Sequence, residues 1–153
     1  MKFHEFQCEL WLPLAPAELF VFFADAANLD TITPPWLNFH IVTPRPIETR
    51  EGALIDYKLR VRGVPLRWRT LISEWQPETR FVDVQERGPY ALWEHTHVFT
   101  PLPGGTLVGD RVRYALPLGP LGSLAHALGV RAALAAIFDF RFQRIRELLP
   151  GPA

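Results

Sequence analysis

The feature that most constrains this chain is a change of period at Pro117-Leu118-Gly119-Pro120. Before it, strand-like segments recur at 2–12, 37–43, 53–62, 65–75, 80–87, 91–101 and 106–116, each bounded by turn signals. After it, about twenty-five residues without proline carry a helical pattern up to Leu149, where Pro150 ends it. The links Gly63-Val64, Gly88-Pro89-Tyr90 and Gly104-Gly105 are short, so the strands they join are antiparallel neighbours. On a helical wheel Leu124, Ala127, Leu134, Ala135, Phe138, Phe142, Ile145 and Leu149 share one side, with Asp139, Gln143 and Glu147 opposite. A lone amphipathic helix beside a seven-stranded meander can bury that side only on the concave face of the sheet, which must curl over it. The expected class is α+β, a curved antiparallel sheet gripping a long C-terminal helix.

Two short helices separate the first two strands. Pro16 suits a first helical position, where its missing N–H is not needed, and that helix runs to about Ala24. Asn28 is positioned to cap a second helix through Thr33, which Pro34-Pro35 stops. At 153 residues, with no repeat or linker, the chain reads as a single domain over 1–153 with one core.

Sixteen basic residues balance sixteen acidic ones, so no global field favours nucleic acid or an anionic surface. The single cysteine, Cys8, excludes an internal disulfide and the common Cys-based zinc sites. The N-terminus enters strand alternation directly, without a basic segment leading into an apolar one, and a reducing, cytoplasmic setting is expected. No uninterrupted apolar run approaches the roughly twenty residues that span a bilayer, so no stable membrane insertion is expected. Five Trp and eleven Phe suit a ring-filled core or a ring-lined cavity.

The local pieces Pro16-Ala17-Glu18-Leu19-Phe20, Asn28-Leu29 and Ile137-Phe138-Asp139-Phe140-Arg141, in the order strand, two helices, six strands, long helix, carry a resemblance over the whole chain. The chain resembles the helix-grip fold of the START-like (SRPBCC) superfamily, which includes polyketide cyclases, lipid-transfer domains, coenzyme Q-binding proteins and plant hormone-binding proteins. The segment from Gly88 to His97 looks like that of a bacterial subgroup. The resemblance implies a hydrophobic cavity between sheet and helix. It transfers no catalytic residue, because one scaffold hosts binders, carriers and enzymes.

Strand alternation defines the inner face. Pairing across Gly63-Val64 sets Leu59 opposite Trp68, Tyr57 opposite Thr70 and Ile55 opposite Ile72; the loop at 88–90 sets Gln85 opposite Trp93 and Asp83 opposite His95; the Gly104-Gly105 hairpin sets Phe99 opposite Asp110 and His95 opposite Tyr114. Asp83, Gln85, Trp93, His95, His97, Asp110 and Tyr114 thus share the concave side, a polar row for a core face. Buried carboxylates and imidazoles need partners. The row is either a set of structural pairs, Asp83–His95 and Asp110–His97, or the polar end of a ligand site, or an acid/base pair built on His95 or His97. The spacing His95-Thr96-His97, with Asp110, also meets the minimum for zinc, but such spacing is common in strands and packed histidines are expected, with no metal and no cofactor.

Arg131 falls near the middle of the helix's apolar stripe and Arg141 near its edge; each would either bind Asp83 or Asp110, reach to solvent, or hold an anionic ligand group. On the opposite face Lys58, Arg60, Arg62, Arg67 and Arg69 cluster, with Lys58 opposite Arg69 and Arg60 opposite Arg67, so acidic neighbours such as Glu48, Glu51 or Glu86 are expected. Such a stripe is a solvated face or a site for an acidic partner; without interleaved aromatics it is no nucleic-acid surface. The leading expectation is non-covalent binding or carriage of a hydrophobic small molecule, a lipid, quinone, polyketide or aromatic compound. Tyr57, Trp68, Trp93 and Phe138 would line the cavity, with Thr70 and Tyr114 on the same face. His95, His97, Asp83, Asp110, Gln85 and Arg131 would supply polar contacts. The rivals are a cyclase or dehydratase using His95 or His97, and an interaction module using the basic face.

Overall fold

The computed structural model describes residues 1–151. Strands β1 (His4–Leu12), β2 (His40–Ile41), β3 (Leu54–Val61), β4 (Val64–Gln76), β5 (Arg80–Arg87), β6 (Leu92–Leu102) and β7 (Gly105–Ala115) form one antiparallel sheet in the order β1-β7-β6-β5-β4-β3-β2. Consecutive strands from β2 to β7 are neighbours, as short links require, and β1 returns to pair with β7. Two register shifts in β4, at Arg69/Thr70 and Ile72/Glu74, are bulges that bend the strand and help the sheet curl. The segment read as a strand over 37–43 is shorter, because Pro35–Leu37 takes a 3-10 turn and Asn38 a left-handed conformation, leaving only His40–Ile41 to pair.

Two hairpins turn one residue earlier than their glycines suggested. Val61 pairs with Val64 across Arg62-Gly63, both at positive φ, the turn that matches strand twist; Leu102 pairs with Gly105 across Pro103-Gly104. Tyr57 therefore faces Trp68, Ile55 faces Thr70, Trp93 faces Tyr114 and His97 faces Asp110, each two residues from the expected partner. Because side chains repeat every two residues, a shift of two changes neighbours but keeps faces. The concave set survives. Asp83 faces His95 as expected.

Helix α1 (Pro16–Ala24) begins at Pro16 and buries Leu19 and Phe20. Phe20 stacks among Trp75, Phe81 and Phe99 at ring distances of 4.9, 6.1 and 5.4 Å, in a core cluster with Leu10, Leu12, Ile32, Val108 and Ile145. Asn28 does not cap the second helix, α2 (Leu29–Ile32). Its amide donates instead to the Phe22 carbonyl at 2.8 Å, while Asp25 accepts from the Ala27 N–H at 3.0 Å at the head of a 3-10 turn that leads into α2.

The C-terminal helix is interrupted. It comprises α3 (Pro120–Ala125), a π turn (His126–Val130) in which Gly129 leaves helical geometry, and α4 (Arg131–Leu148). The wide turn resets the helical phase. Leu134, Phe138 and Ile145 are buried, whereas Leu124 and Ala127, expected on the same side, are exposed. By length and composition residues Pro120–Leu148 could cross a membrane, yet α4 lies on the sheet, with Leu134 and Phe138 against Val112 and Tyr114.

Candidate functional site

Between the concave face, the short helices and α4 lies a cavity of about 380 Å³. Its strand wall is aromatic. Trp68 and Trp93 meet edge to face at 5.3 Å, and Tyr90 packs on both, at 5.7 and 4.9 Å. The Trp68 indole N–H donates to Thr70 Oγ1 at 3.1 Å, and Tyr57 Oη hydrogen-bonds the same hydroxyl, so the polar tips of these rings are tied back to the sheet. Leu29 and Ile32 close the side formed by the short helices, and Leu134, Ile137 and Arg141 project from α4.

At one end the wall becomes polar. His95 Nε2 lies 2.7 Å from Asp110 Oδ1 and His97 Nε2 lies 2.7 Å from Asp83 Oδ2. The other two nitrogens complete a square, with His97 Nδ1 3.3 Å from Asp110 and His95 Nδ1 3.7 Å from Asp83. The short bonds are diagonal: the backbone register sets Asp83 beside His95 and Asp110 beside His97, the expected pairs, but each carboxylate makes its short contact with the other ring. Asp83, His95 and His97 line the cavity; Asp110 lies behind them with its side chain 1% exposed.

Charge in this square is set by burial and contact. Burial alone would raise both carboxylates, yet the two imidazoles, helped by Arg141, hold Asp83 below its ordinary range and Asp110 far below it. Burial pulls His95 down, reinforced by the charge on His97. It opposes His97 too, but hydrogen bonds to Asp110 and Asp83 outweigh it and raise that ring. Of the two rings, His97 is the one whose charged form the carboxylates favour.

The same charges set the acid limb of stability. Asp83 and Asp110, depressed below 3.8, contribute stability that is complete above that value and lost as pH falls from it toward their folded values. His95, depressed below 6.5, likewise loses its contribution as pH falls, whereas raised His97 contributes fully below 6.5 and loses it as pH rises through its folded value. The histidines oppose each other, so the carboxylates dominate. The urea midpoint is expected to drop steeply below pH 3.8, with a shallower acid limb in Asp110→Asn; equal limbs would contradict this assignment.

Donor atoms of Asp83, His95 and His97 lie within 4.8 Å of one another, close enough to consider a metal. The imidazoles, however, stack at 3.7 Å with a 31° tilt. A metal shared by stacked rings would lie out of both ring planes, whereas nitrogen lone pairs point within them. The set suits protons.

Of the residues expected at the site, Tyr57, Trp68, Thr70, Asp83, Trp93, His95 and His97 line the cavity together. Gln85 instead clasps its own loop, donating to the Tyr90 carbonyl at 2.8 Å and accepting from the Tyr90 N–H at 3.0 Å. Tyr114 bonds His126 at 2.8 Å, and Phe138 packs on Phe6 and His95. Arg131 is a correction. It is exposed and donates to the Glu5 carbonyl at 2.9 Å, because the π turn rotates it off the buried face. Arg141 takes the inward place instead, lying over Phe23 and Phe138 at 5.9 and 6.0 Å, its buried Nε without a hydrogen-bond partner among the described residues. Its position in Phe138-Asp139-Phe140-Arg141-Phe142, a cation inside an aromatic run, was the available signal. The short-helix wall around Leu29 and Ile32 carried none.

On the convex face Arg69 makes two hydrogen bonds to Asp56, at 2.8 and 3.2 Å, and lies 3.8 Å from Glu86. Lys58 pairs across the ladder with Arg67, and Arg60 faces Pro65, correcting the expected cation pairs. Glu48 turns to Arg50 instead.

No protein-family model matches this sequence, and no curated protein sequence matches it. Solved structures do. TTHA0849 from Thermus thermophilus is 22% identical, with a TM-score of 0.69 over 95% of this chain and 99% of that one. Ginseng major latex-like protein 151 from Panax ginseng is 10% identical, with a TM-score of 0.71 over 97% and 99%. A START superfamily protein from Mycobacterium smegmatis is 12% identical, with a TM-score of 0.67 over 96% and 97%. This chain has the START-like, helix-grip fold. At such identities the likeness shows fold alone, so the contents of this START-like cavity must be argued from its own walls.

Proposed function

We propose that the protein binds or carries, without covalent chemistry, a largely apolar small molecule with one polar end: a lipid, quinone, polyketide or aromatic compound. The observation that carries this reading is the cavity of about 380 Å³, within the usual range for ligand sites, lined by aromatic rings and by Arg141, whose buried Nε has no hydrogen-bond partner among the described residues. Apolar surface drives entry, and the Arg141 N–H fixes which end goes in. The lone thiol, Cys8, is pushed up to about 12 by burial and the nearby Asp110 charge, so it fills space as a neutral group and fits a reducing cytoplasm.

Mass spectrometry of material extracted from the purified protein tests the reading directly. Arg141→Met is expected to leave uptake of the neutral probe N-phenyl-1-naphthylamine unchanged, while binding of a long-chain alcohol or acid falls about tenfold, the worth of one charge-assisted hydrogen bond. An equal loss for probe and amphiphile would refute the orienting role of Arg141.

A second reading is favoured by Asp83, which lines the cavity, is 18% exposed and lies 2.7 Å from His97 Nε2. A proton at that edge suits a cyclase or dehydratase in which the Asp83–His97 pair acts as acid. Turnover of a polyketide-like substrate that vanishes in His97→Gln, with N-phenyl-1-naphthylamine uptake intact, would select it over simple binding.

A further inference from the structure

The interrupted helix leaves an apolar face uncovered. Leu118 just before α3, Leu121 and Leu124 on it and Leu128 in the π turn are 74%, 65%, 54% and 75% exposed. These are large apolar side chains facing water. Only 17% of the most apolar eighteen-residue window of the helix is buried. The tip of the β3–β4 hairpin extends the patch, with Val61 and Val64 42% and 58% exposed and Arg62 close enough that a Cβ at Gly129 would lie 3.5 Å from its guanidinium.

The chain segments that build this patch are rich in cations and poor in acids. No acidic residue occurs between Asp110 and Asp139, or between Asp56 and Glu74, whereas these stretches hold Lys58, Arg60, Arg62, Arg67, Arg111, Arg113 and Arg131. Arg69 is neutralised by Asp56, and Arg111 by Glu5 at 2.8 Å; Arg60, Arg62 and Arg67 at the hairpin have no acidic partner among the described residues. The patch also adjoins the cavity along the chain, since Val61, Leu116 and Leu134 line it within three residues of Arg62, Leu118 and Arg131.

We propose that this face, α3 with the β3–β4 tip, docks reversibly on an anionic lipid bilayer and brings the cavity to its source of apolar ligand, an inference that rests on the reading of the cavity as a carrier's. Leucines enter the acyl boundary while hairpin arginines meet anionic headgroups, the combination that holds amphipathic elements at an interface. A second copy of the chain fits less well. Two-fold pairing sets a patch against itself, and here that would bring uncompensated arginines together.

The test is co-sedimentation with vesicles of phosphatidylcholine alone and of phosphatidylcholine mixed with phosphatidylglycerol, beside analytical ultracentrifugation of the protein alone. The wild type is expected to bind only the anionic vesicles, and less so with added salt. Arg60→Glu with Arg62→Glu should weaken this on the order of tenfold or more, as should Leu124→Asp with Leu128→Asp. Both variants alter exposed residues outside the cavity wall and should take up N-phenyl-1-naphthylamine as the wild type does. Wild-type protein that ignores anionic vesicles, or binds neutral ones equally, overturns the proposal. So does a wild-type dimer that the leucine variant dissolves while vesicle binding is absent. Vesicle binding without any probe uptake would keep the docking surface and reject the carrier reading instead.

Discussion

Asp110→Ala is expected to lower the free energy of unfolding by about 3–5 kcal/mol, seen as a large drop in urea midpoint at unchanged slope. Asp110 lies in β7 between β1 and β6, where its Oδ1 is 2.7 Å from one buried imidazole and 3.3 Å from another. Removing it leaves His97 beside a single carboxylate and His95 Nε2 without its 2.7 Å partner, two desolvated polar groups that have lost a contact. A surface control makes the size meaningful. Asp56→Ala breaks an Arg69 pair that is about as short, 2.8 Å, but 31% and 41% exposed, and should cost no more than about 1 kcal/mol. Combining Asp110→Ala with His95→Ala should cost less than the sum of the single changes by about 1–3 kcal/mol, because the second change removes a group already orphaned. Similar losses for Asp110→Ala and Asp56→Ala would mean that the square does not brace the sheet.

The square also shows what sequence reasoning can reach. Alternation assigned Asp83, His95, His97 and Asp110 to one face because strand side chains repeat every two residues, and the hairpin turns, misplaced by one position, could shift partners only by two. Faces tolerate that error. Pairings do not, and the diagonal bonds of the square were not legible either, because they depend on side-chain reach across the register rather than on the register itself. Helix phase is less forgiving, since an extra residue in a turn rotates every position before it relative to those after. Gly129 interrupts the pattern, and one straight wheel therefore placed Leu124, Ala127 and Arg131 with Leu134, when the structure turns all three outward and Arg141 inward. The isolated glycine in a helical run was the only warning. The short helices posed another problem. Leu29 and Ile32 line the cavity through tertiary packing of an irregular stretch, which has no period to read.

Ile137→Trp is expected to weaken uptake of N-phenyl-1-naphthylamine by at least about a hundredfold, equivalent to about 2.7 kcal/mol. Ile137 stands on α4 one turn before Arg141 and after Leu134, and it lines the cavity from the helix side, opposite the strand wall of Trp68 and Trp93. A larger ring at that position occupies the volume an apolar ligand would take, and it removes the apolar surface that drives entry. Into a filled core the same change would cost about 1–3 kcal/mol of stability through overpacking. Here the space is open, so the thermal midpoint should hold or rise as the added ring gains contacts. The two readouts together separate a true cavity from a closed core: lost uptake with stability kept marks a site, and lost stability with uptake kept marks a probe bound elsewhere. Ile137→Phe, a smaller addition, should fall between wild type and Trp in uptake. Ile137→Ala should reverse the sign, admitting bulkier ligands while losing about 2–3 kcal/mol of stability. A series in which uptake does not track the size of residue 137 would remove the cavity from the function of this protein.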